Sequence, residues 1–195
     1  MQSVIAVILG YLLGSISFAF LLTRSRGIDL RKVGSRNVGA ANVLRSAGVV
    51  PAVAVMLLDA AKGAVAVLVA RMMTGDLTVA TAAGLAAIAG HIWPAWLRFR
   101  GGKGVATSAG VFAVLAPSAT AIAALVFIIT IFVTRFVSAG SIVGAIALAV
   151  AAGVWGAPGP VVAASVLATV VIIVRHRDNM SRLVAGTERR IGLRT

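Results

Sequence analysis

The sequence predicts an all-α polytopic membrane protein with seven transmembrane helices, some of them short, in a single domain over residues 1–195. Three observations support this prediction. Of the 195 residues, 60% are hydrophobic and only 12% are charged, which lies outside the range of water-soluble globular domains. The mean hydropathy is +1.05, and several apolar runs reach the roughly 20 residues that a helix needs to cross a bilayer. Lys and Arg outnumber Asp and Glu by 18 to 5, and the basic residues concentrate between the apolar runs.

Six apolar stretches are candidate spans. The first three are long enough to cross a hydrocarbon core of about 30 Å. The fourth is long for one helix, short for two, and broken at Pro117, and the last two are short. In chain order the stretches are Val4–Thr23, Val49–Met73, Leu77–Leu97, Val105–Val133, Ile142–Val154 and Val161–Val174.

Positive charge decides how the fourth stretch is counted, because basic loops stay on the cytoplasmic side of a membrane. Six Lys or Arg lie in residues 24–45, three in residues 98–103 and six after Val174. If the fourth stretch crosses twice, all three basic segments and Arg135 share one side, whereas a single crossing places the basic tail outside. We therefore predict seven helices, with the N-terminus outside and the C-terminus cytoplasmic.

The segment RFRGGKGVATSAG (98–110) has the composition of an anion site. Gly101, Gly102 and Gly104 surround Lys103 directly before a predicted helix. Glycines let backbone N–H groups approach a ligand closely, and the positive end of the helix favours an anion such as phosphate. A Walker A loop fits poorly, because Val105 stands where a Mg²⁺-binding Ser or Thr is needed and no strand precedes the loop. A flexible basic turn is the plain structural alternative.

The segment GSRNVGAANVLR (34–45) offers hydroxyl, amide and guanidinium groups. Arg45 can bind phosphate through two parallel hydrogen bonds, while Ser35, Asn37 and Asn42 can bind glycerol-like hydroxyls. We interpret four other basic residues of this loop as orientation and lipid headgroup contacts; they are Arg24, Arg26, Arg31 and Lys32.

The tail forms a third polar segment. His176, Asn179 and Arg182 are spaced three residues apart and would share one face of a short helix, although a plain interfacial amphipathic helix has the same pattern. Gly186 is a plausible helix stop. Glu188, which lies among arginines, could hold the tail to the basic loops.

Two groups of polar residues lie in or near apolar spans. Asp59 and Lys62 are three residues apart on the second span, where each lone charge would cost about 2.5 to 3.5 kcal/mol near the bilayer centre. They should therefore pair and face the helix bundle, and we favour a structural ion pair over direct catalysis. His91, with Pro94, lies before the glycine segment and could orient it, although a packed histidine is the simpler interpretation.

The five carboxylates are scattered along the chain, so the sequence predicts neither a metal site nor a cofactor. A reaction in this protein would then depend on positioning phosphate groups and stabilising developing charge.

In these segments the sequence resembles the bacterial acyl-phosphate-dependent glycerol-3-phosphate acyltransferases. Two departures are visible: Ser17 stands where the family usually has proline, and GAAN replaces the more common GATN, which makes a direct role for Ala41 doubtful. The matching segments are GSISF (14–18), SRNVGAANVLR (35–45), DAAKG (59–63), GHIWPAWLRFRGGKGVAT (90–107) and NMSRLVAGTERR (179–190).

The resemblance implies an enzyme of phospholipid biosynthesis in the bacterial cytoplasmic (inner) membrane, with its site facing the cytoplasm. It implies transfer of a fatty acyl group from acyl phosphate to the 1-hydroxyl of glycerol 3-phosphate, which gives lysophosphatidic acid and phosphate. The partners expected are these two substrates and membrane lipids, with no nucleic acid and with a monomeric chain.

The resemblance also implies residue roles. Lys103, Arg45, His176 and Asn179 are the expected catalytic group. Lys103 and the loop amides would hold the acyl phosphate, while the substrate phosphate and His176 compete as the base. Of the residues expected to bind the substrates, the resemblance implies Ser35, Arg45, Lys103, Ser141, His176 and Asn179. The polar segments themselves suggest Asn37, Asn42, Gly101, Gly102, Gly104, Thr107 and Arg182.

Two other functions compete with this interpretation. A small transporter of an organic phosphate would use short helices whose N-termini point at an anion, but it predicts a polar path to the outer face. The outer loops at 74–76 and 155–160 carry almost no charge. A noncatalytic lipid-binding membrane protein would need only the basic loops and not the Gly and Asn spacing.

Overall fold

A computed structural model describes residues 1–192 of the chain, and within that range the regular secondary structure is entirely helical. The chain forms two compact units, Met1–Leu115 and Ala116–Thr195. Unit 1 contains α1 (Gln2–Ser15), α2 (Phe18–Arg24), α3 (Ala40–Ala47), α4 (Val49–Thr74), α5 (Leu77–Ile92), a 3₁₀ turn (Ala95–Leu97) and α6 (Val105–Leu115). Unit 2 contains α7 (Pro117–Thr134), α8 (Val137–Val154), α9 (Gly159–Arg175) and α10 (Arg177–Val184).

Five helical segments are long and apolar enough to cross a membrane, which confirms the prediction of an all-α membrane protein. A sixth candidate is α9 together with α10, which are bent by 57° at their junction, and α6 is a shorter apolar helix. The five segments are Gln2–Arg24, Val49–Thr74, Leu77–Leu97, Pro117–Thr134 and Val137–Val154.

The helix bounds agree with most predicted spans and differ at particular residues. The fourth stretch is divided as expected, since α6 ends at Leu115 and Pro117 opens α7. Proline is well suited to a first helical position, where its missing N–H would have no partner in any case. The fifth span starts at Val137, five residues before the predicted start at Ile142.

Small residues allow the helices of unit 1 to pack closely. A side chain on Gly10 or Gly14 of α1 would overlap the backbone of Ala83 or Ala87 on α5. Gly63 of α4 meets the backbone of Thr107 on α6 in the same way. Close backbone approach of this kind stabilises helix pairs in a bilayer, where the hydrophobic effect does not bring helices together. It also fixes the ends of α5 and α6, between which the glycine segment runs.

The first span is interrupted between α1 and α2. Ile16 has an extended backbone with ψ 114°, and the Ser17 hydroxyl accepts a 3.4 Å hydrogen bond from the Phe20 amide. The hydroxyl thus caps α2. Since the Phe20 amide binds Ser17, the Ile16 carbonyl does not receive the helical hydrogen bond that an unbroken helix would give it.

The connection between α2 and α4 packs on its own apolar core. Its buried residues come from α2, the loop, α3 and the start of α4, so the loop is a folded element. They are Ala19, Leu30, Val38, Val43, Ala52 and Val55.

Unit 2 pairs α7 with α8 and α8 with α9. Gly140 and Gly144 on α8 let Phe127 of α7 approach closely. The Thr169 hydroxyl on α9 donates a 2.7 Å hydrogen bond to the Ala145 carbonyl on α8. The tail then turns at His176 into α10, which places the predicted polar segment after the last apolar helix.

Candidate active site

The glycine segment of unit 1 folds against the end of α5. The amide of Gly101 donates a 3.1 Å hydrogen bond to the Ile92 carbonyl, and the amide of Gly102 donates one of the same length to the His91 carbonyl. The sequence predicts that these two amides face a ligand. In the structure they hold the loop to α5, so the candidate anion donors are the backbone amides later in the segment.

Those later donors belong to the N-terminus of α6. Gly104 has a φ of +90°, a conformation that favours glycine, and it turns the chain into the helix. The amides of the first helical turn have no carbonyl partner within their own helix, and together with the helix dipole they favour an anion. Lys103 is half-buried and directly precedes this turn.

Thr107 lies in the first turn of α6 with its side chain buried. Within residues 1–192, its hydroxyl and that of Ser108 have no hydrogen-bond partner. A buried hydroxyl without a partner costs about 1 to 3 kcal/mol, so these two groups stand out at the base of the glycine segment.

Asn42 shapes the first polar loop from within. Its buried side-chain amide donates to the carbonyls of Leu30 and Val33, both at 3.1 Å, and its oxygen accepts a 2.9 Å hydrogen bond from the Ser35 amide. Gly34 has a φ of +59°, and a side chain there would overlap the Asn42 amide. Asn42 therefore holds the loop, whereas the sequence suggested that it binds substrate.

The other predicted residues of this loop lie at its surface. Ser35 and Arg45 are exposed and Asn37 is half-buried. Arg45 lies in the last turn of α3, three residues after Asn42, so the residue that holds the loop also fixes the helix that carries the guanidinium.

Arg31, one of the basic residues that we interpreted as orienting the protein, binds another residue of the same loop. Its guanidinium donates to both carboxylate oxygens of Asp29, at 2.9 and 3.0 Å. The hydrogen bond from Arg31 lowers the pKa of Asp29 to about 2. Arg24 and Arg31 also lie over the Phe20 ring, at 5.6 and 5.2 Å. These contacts occupy both side chains without a ligand.

A buried cluster of charged and polar groups lies beneath the glycine segment. The ammonium of Lys62 forms an ion pair with Asp59 Oδ1 at 2.7 Å, and it donates hydrogen bonds to the Ile16 carbonyl at 2.6 Å and to His91 Nδ1 at 3.0 Å. The predicted ion pair is confirmed. For His91 the sequence left two interpretations, a residue that orients the glycine segment and a packed histidine. In the structure its carbonyl binds Gly102 and its ring lies against that residue.

In unit 2, His176 is buried at the junction of α9 and α10. Its Nδ1 lies 2.8 Å from the Ile172 carbonyl. A carbonyl can only accept, so Nδ1 carries the proton and Nε2 is the nitrogen that can accept one.

The Glu188 carboxylate joins the tail to α8 and α10. Oε1 accepts hydrogen bonds from Asn179 Nδ2 at 2.6 Å and Ser138 Oγ at 2.9 Å, and Oε2 accepts one from Arg182 Nε at 2.7 Å. Burial raises the pKa of Glu188, but the hydrogen bonds from Asn179, Arg182 and Ser138 outweigh it, so the pKa lies below its ordinary value. Glu188 thus holds the tail, and Asn179 and Arg182 serve this contact.

Ser138 belongs to the Glu188 cluster and was missed by the sequence reasoning, while Ser141 was expected. Both are buried on α8, and they are three residues apart on the same helix face. The Ser141 hydroxyl donates a 2.8 Å hydrogen bond to the Val137 carbonyl, which leaves its oxygen as an acceptor. The spacing to Ser141 was the one signal that could have pointed to Ser138.

Comparison with known proteins gives a consistent result. A family model described as Glycerol-3-phosphate acyltransferase matches residues 4–186. A curated protein named glycerol-3-phosphate acyltransferase from Synechococcus sp. (strain CC9902) is 48% identical over 194 residues, which covers 98% of this chain and 96% of the relative. One from Halalkalibacterium halodurans is 45% identical over 193 residues, with 95% and 94% covered.

Two solved structures are also similar. The glycerol 3-phosphate form of PlsY, described as an integral membrane glycerol 3-phosphate acyltransferase, has a TM-score of 0.95 and 40% identity. Its lysophosphatidic acid form has a TM-score of 0.92 and 39% identity. Each comparison covers 98% of this chain and 96% of the other.

Replacing Glu188 by Gln should lower the thermal stability at neutral pH and remove part of its pH dependence. Because the pKa of Glu188 is lower in the folded protein, the ionised carboxylate stabilises the fold above the ordinary value of about 4.5. That stabilisation is lost as the pH falls below 4.5 through the folded-state pKa. Thermal midpoints in detergent between pH 7 and pH 3.5 measure this. The wild-type midpoint should fall more steeply below pH 4.5 than that of Glu188→Gln, and parallel curves would contradict the role of Glu188.

Proposed function

The chain belongs to the glycerol-3-phosphate acyltransferase family, and we infer from this membership that it is an enzyme of phospholipid synthesis that acylates glycerol 3-phosphate. We propose that the donor is a fatty acyl phosphate and that the acceptor is the 1-hydroxyl of glycerol 3-phosphate. The products are then 1-acylglycerol 3-phosphate and inorganic phosphate. The observation that carries the choice of donor is the glycine segment with Lys103 at the N-terminus of α6.

We assign the phosphate of the donor to Lys103 and the first turn of α6. The lysine supplies a mobile positive charge, and the uncovered amides and the dipole of α6 supply fixed ones. Gly104 and the buried Thr107 hydroxyl belong to the same turn. Gly101 and Gly102 contribute by holding the loop on α5.

We assign the phosphate of glycerol 3-phosphate to the first polar loop of unit 1. Arg45, with Ser35 and Asn37 near it in sequence, offers a guanidinium for its phosphate and polar groups for its hydroxyls. In unit 2, Ser141 and His176 offer hydrogen-bond acceptors, and their predicted role in substrate binding stays a prediction from the sequence. The roles of Asn42, Asn179 and Arg182 are indirect in this proposal, because their side chains hold the first loop or Glu188.

The reaction balances without a cofactor. The 1-hydroxyl oxygen attacks the acyl carbonyl carbon, a new C–O bond forms, and the bond between that carbon and the phosphate oxygen breaks. The electron pair of the broken bond leaves with phosphate. Lys103 and the amides of α6 stabilise this charge as it develops, which is the largest contribution that a preorganised site makes.

The hydroxyl proton goes to the phosphate of the acceptor substrate. His176 is the competing base, but its Nδ1–H binds the neutral carbonyl of Ile172. That bond orients the ring without stabilising a positive charge, unlike the carboxylate of a Ser-His-Asp triad.

We propose that α6 and α9 also cross the membrane, which gives seven spans with the N-terminus outside and the C-terminus in the cytoplasm. The support is the distribution of basic residues, because seven crossings place residues 24–45, the glycine segment, Arg135 and the tail on one side. The enzyme would then take both substrates from the cytoplasmic side of the bacterial inner membrane.

Single cysteines test this topology, since the chain contains none of its own. In intact cells, a membrane-impermeant maleimide should label Thr74→Cys and Trp155→Cys, and it should reach Lys32→Cys and Arg189→Cys only after the membrane is opened. Labelling of Arg189→Cys in intact cells would contradict the seven-span arrangement.

Phosphate release tests the reaction itself. The purified protein receives palmitoyl phosphate with or without glycerol 3-phosphate, and no metal or coenzyme A. We expect release that requires glycerol 3-phosphate and yields a lysolipid.

Lys103→Ala should lower the rate by about 10²- to 10³-fold, as expected for loss of one preorganised donor. Lys32→Ala, which removes an exposed lysine outside the proposed site, is the matched control and should stay near wild type. A folded wild type that turns over nothing would favour a transporter, to be tested by flux assays.

His176→Gln tests the identity of the base. Gln keeps hydrogen-bonding groups near the position of the ring but cannot take up a proton. If the substrate phosphate is the base, kcat should stay within about tenfold of wild type, with most of the loss in KM for glycerol 3-phosphate. A drop in kcat of about 10²- to 10⁴-fold, the usual contribution of a general base, would assign the proton to His176 instead.

A further inference from the structure

The geometry points to a role for His91 that rests on the proposed function: we propose that His91 is a positioning residue that sets the place of Lys103 through Gly102. Its imidazole is kept in one tautomer by Lys62, and it supports the glycine segment from below. The first step of the argument is the set of acceptors around the Lys62 ammonium.

An ammonium has three N–H donors and no acceptor. Around Lys62 Nζ lie three acceptors at hydrogen-bonding distance, namely Asp59 Oδ1, the Ile16 carbonyl and His91 Nδ1. The side chains of Lys62 and Asp59 are each 3% exposed. Because the ammonium can only donate, His91 Nδ1 must accept, so the neutral ring carries its proton on Nε2.

Asp59 does not favour the other tautomer, in which His91 Nδ1 would carry the proton and donate to the carboxylate. The distance from His91 Nδ1 to Asp59 Oδ1 is 3.6 Å, longer than the 3.0 Å from Nδ1 to the lysine and beyond the usual range of an N–H···O bond. Lys62 therefore lies between the carboxylate and the histidine and binds both.

The other side of the ring faces the glycine segment. A Cβ on Gly102 would overlap Nε2 of His91 and would lie 2.8 Å from Cε1 and 3.1 Å from Cδ2. The Gly102 amide binds the His91 carbonyl at 3.1 Å. His91 thus contacts Gly102 through both its main chain and its ring, and Lys103 is the next residue.

These contacts exceed what a histidine needs for packing. Leucine would fill much of the same volume, but it would leave one Lys62 N–H without its acceptor and would remove the polar edge next to Gly102. A buried donor without a partner destabilises the fold. Asparagine keeps an oxygen near the Nδ1 position and removes the ring atoms nearest Gly102.

A double-mutant cycle tests the contact between His91 and Gly102. Gly102→Ala should be strongly harmful in the wild type and much less so in His91→Asn, because Asn opens the space that the new Cβ needs. We expect a coupling of at least about tenfold in kcat/KM for palmitoyl phosphate. Gly101→Ala is the matched control. Its Cβ would overlap the His91 carbonyl and lie 2.6 Å from Pro94 Cδ, and neither group changes in His91→Asn, so the effects of these two changes should combine without coupling.

Two further readouts separate positioning from general stability. His91→Leu should raise KM for palmitoyl phosphate more than KM for glycerol 3-phosphate, and His91→Asn should restore part of the thermal midpoint that His91→Leu loses. Equal coupling for both glycines, or unchanged KM values in His91→Leu, would overturn the proposal.

The same double-mutant cycle is also measured with thermal midpoints in place of kcat/KM. If the wild type has no acyltransferase activity, the proposed function fails. The coupling of midpoints between His91 and Gly102 still decides whether the ring holds the loop.

Discussion

The structure of unit 1 depends on the contacts of the buried Lys62 ammonium. It lies midway along α4, where a lone charge is costly. It pairs with Asp59 on the same helix and forms hydrogen bonds with Ile16 at the end of α1 and with His91 on α5. The bond to Ile16 requires a carbonyl that its own helix does not use, and the break capped by Ser17 supplies one. The charge and the helix break therefore compensate each other, since buried donors and acceptors in a bilayer must find partners within the protein.

In unit 2 a buried negative charge must likewise find its partners within the protein. The Glu188 carboxylate is almost fully buried, and it is stable there because Ser138, Asn179 and Arg182 each donate to it. The serine belongs to α8 and the other two to α10, so one carboxylate ties the tail to two helices. Breaking such a cluster by removing one member costs more than the cluster contributes, because it leaves a buried charge without compensation.

The sequence predicted the features that follow from spacing and composition. The division of the fourth stretch at Pro117 and the Asp59–Lys62 pair were both expected, because proline marks a boundary and buried charges must pair. Ser138 was not expected, since a serine in an apolar helix has no pattern of its own. The sequence also could not show that Asn42 binds the carbonyls of its own loop, because the same side-chain amide can bind either a substrate or a loop carbonyl.

The glycine segment shows most clearly what a motif can and cannot reveal. Its glycines correctly indicated close backbone contact, but the sequence could not tell a ligand from the protein's own helix end. Gly101 and Gly102 contact α5, which fixes the loop before any substrate arrives. Donors that are already fixed need not reorganise when charge develops, and this preorganisation is where electrostatic catalysis gains its advantage. In the proposed mechanism, the glycines therefore contribute by making the position of Lys103 a property of the folded protein, so that the ordering cost is met during folding and not during the reaction.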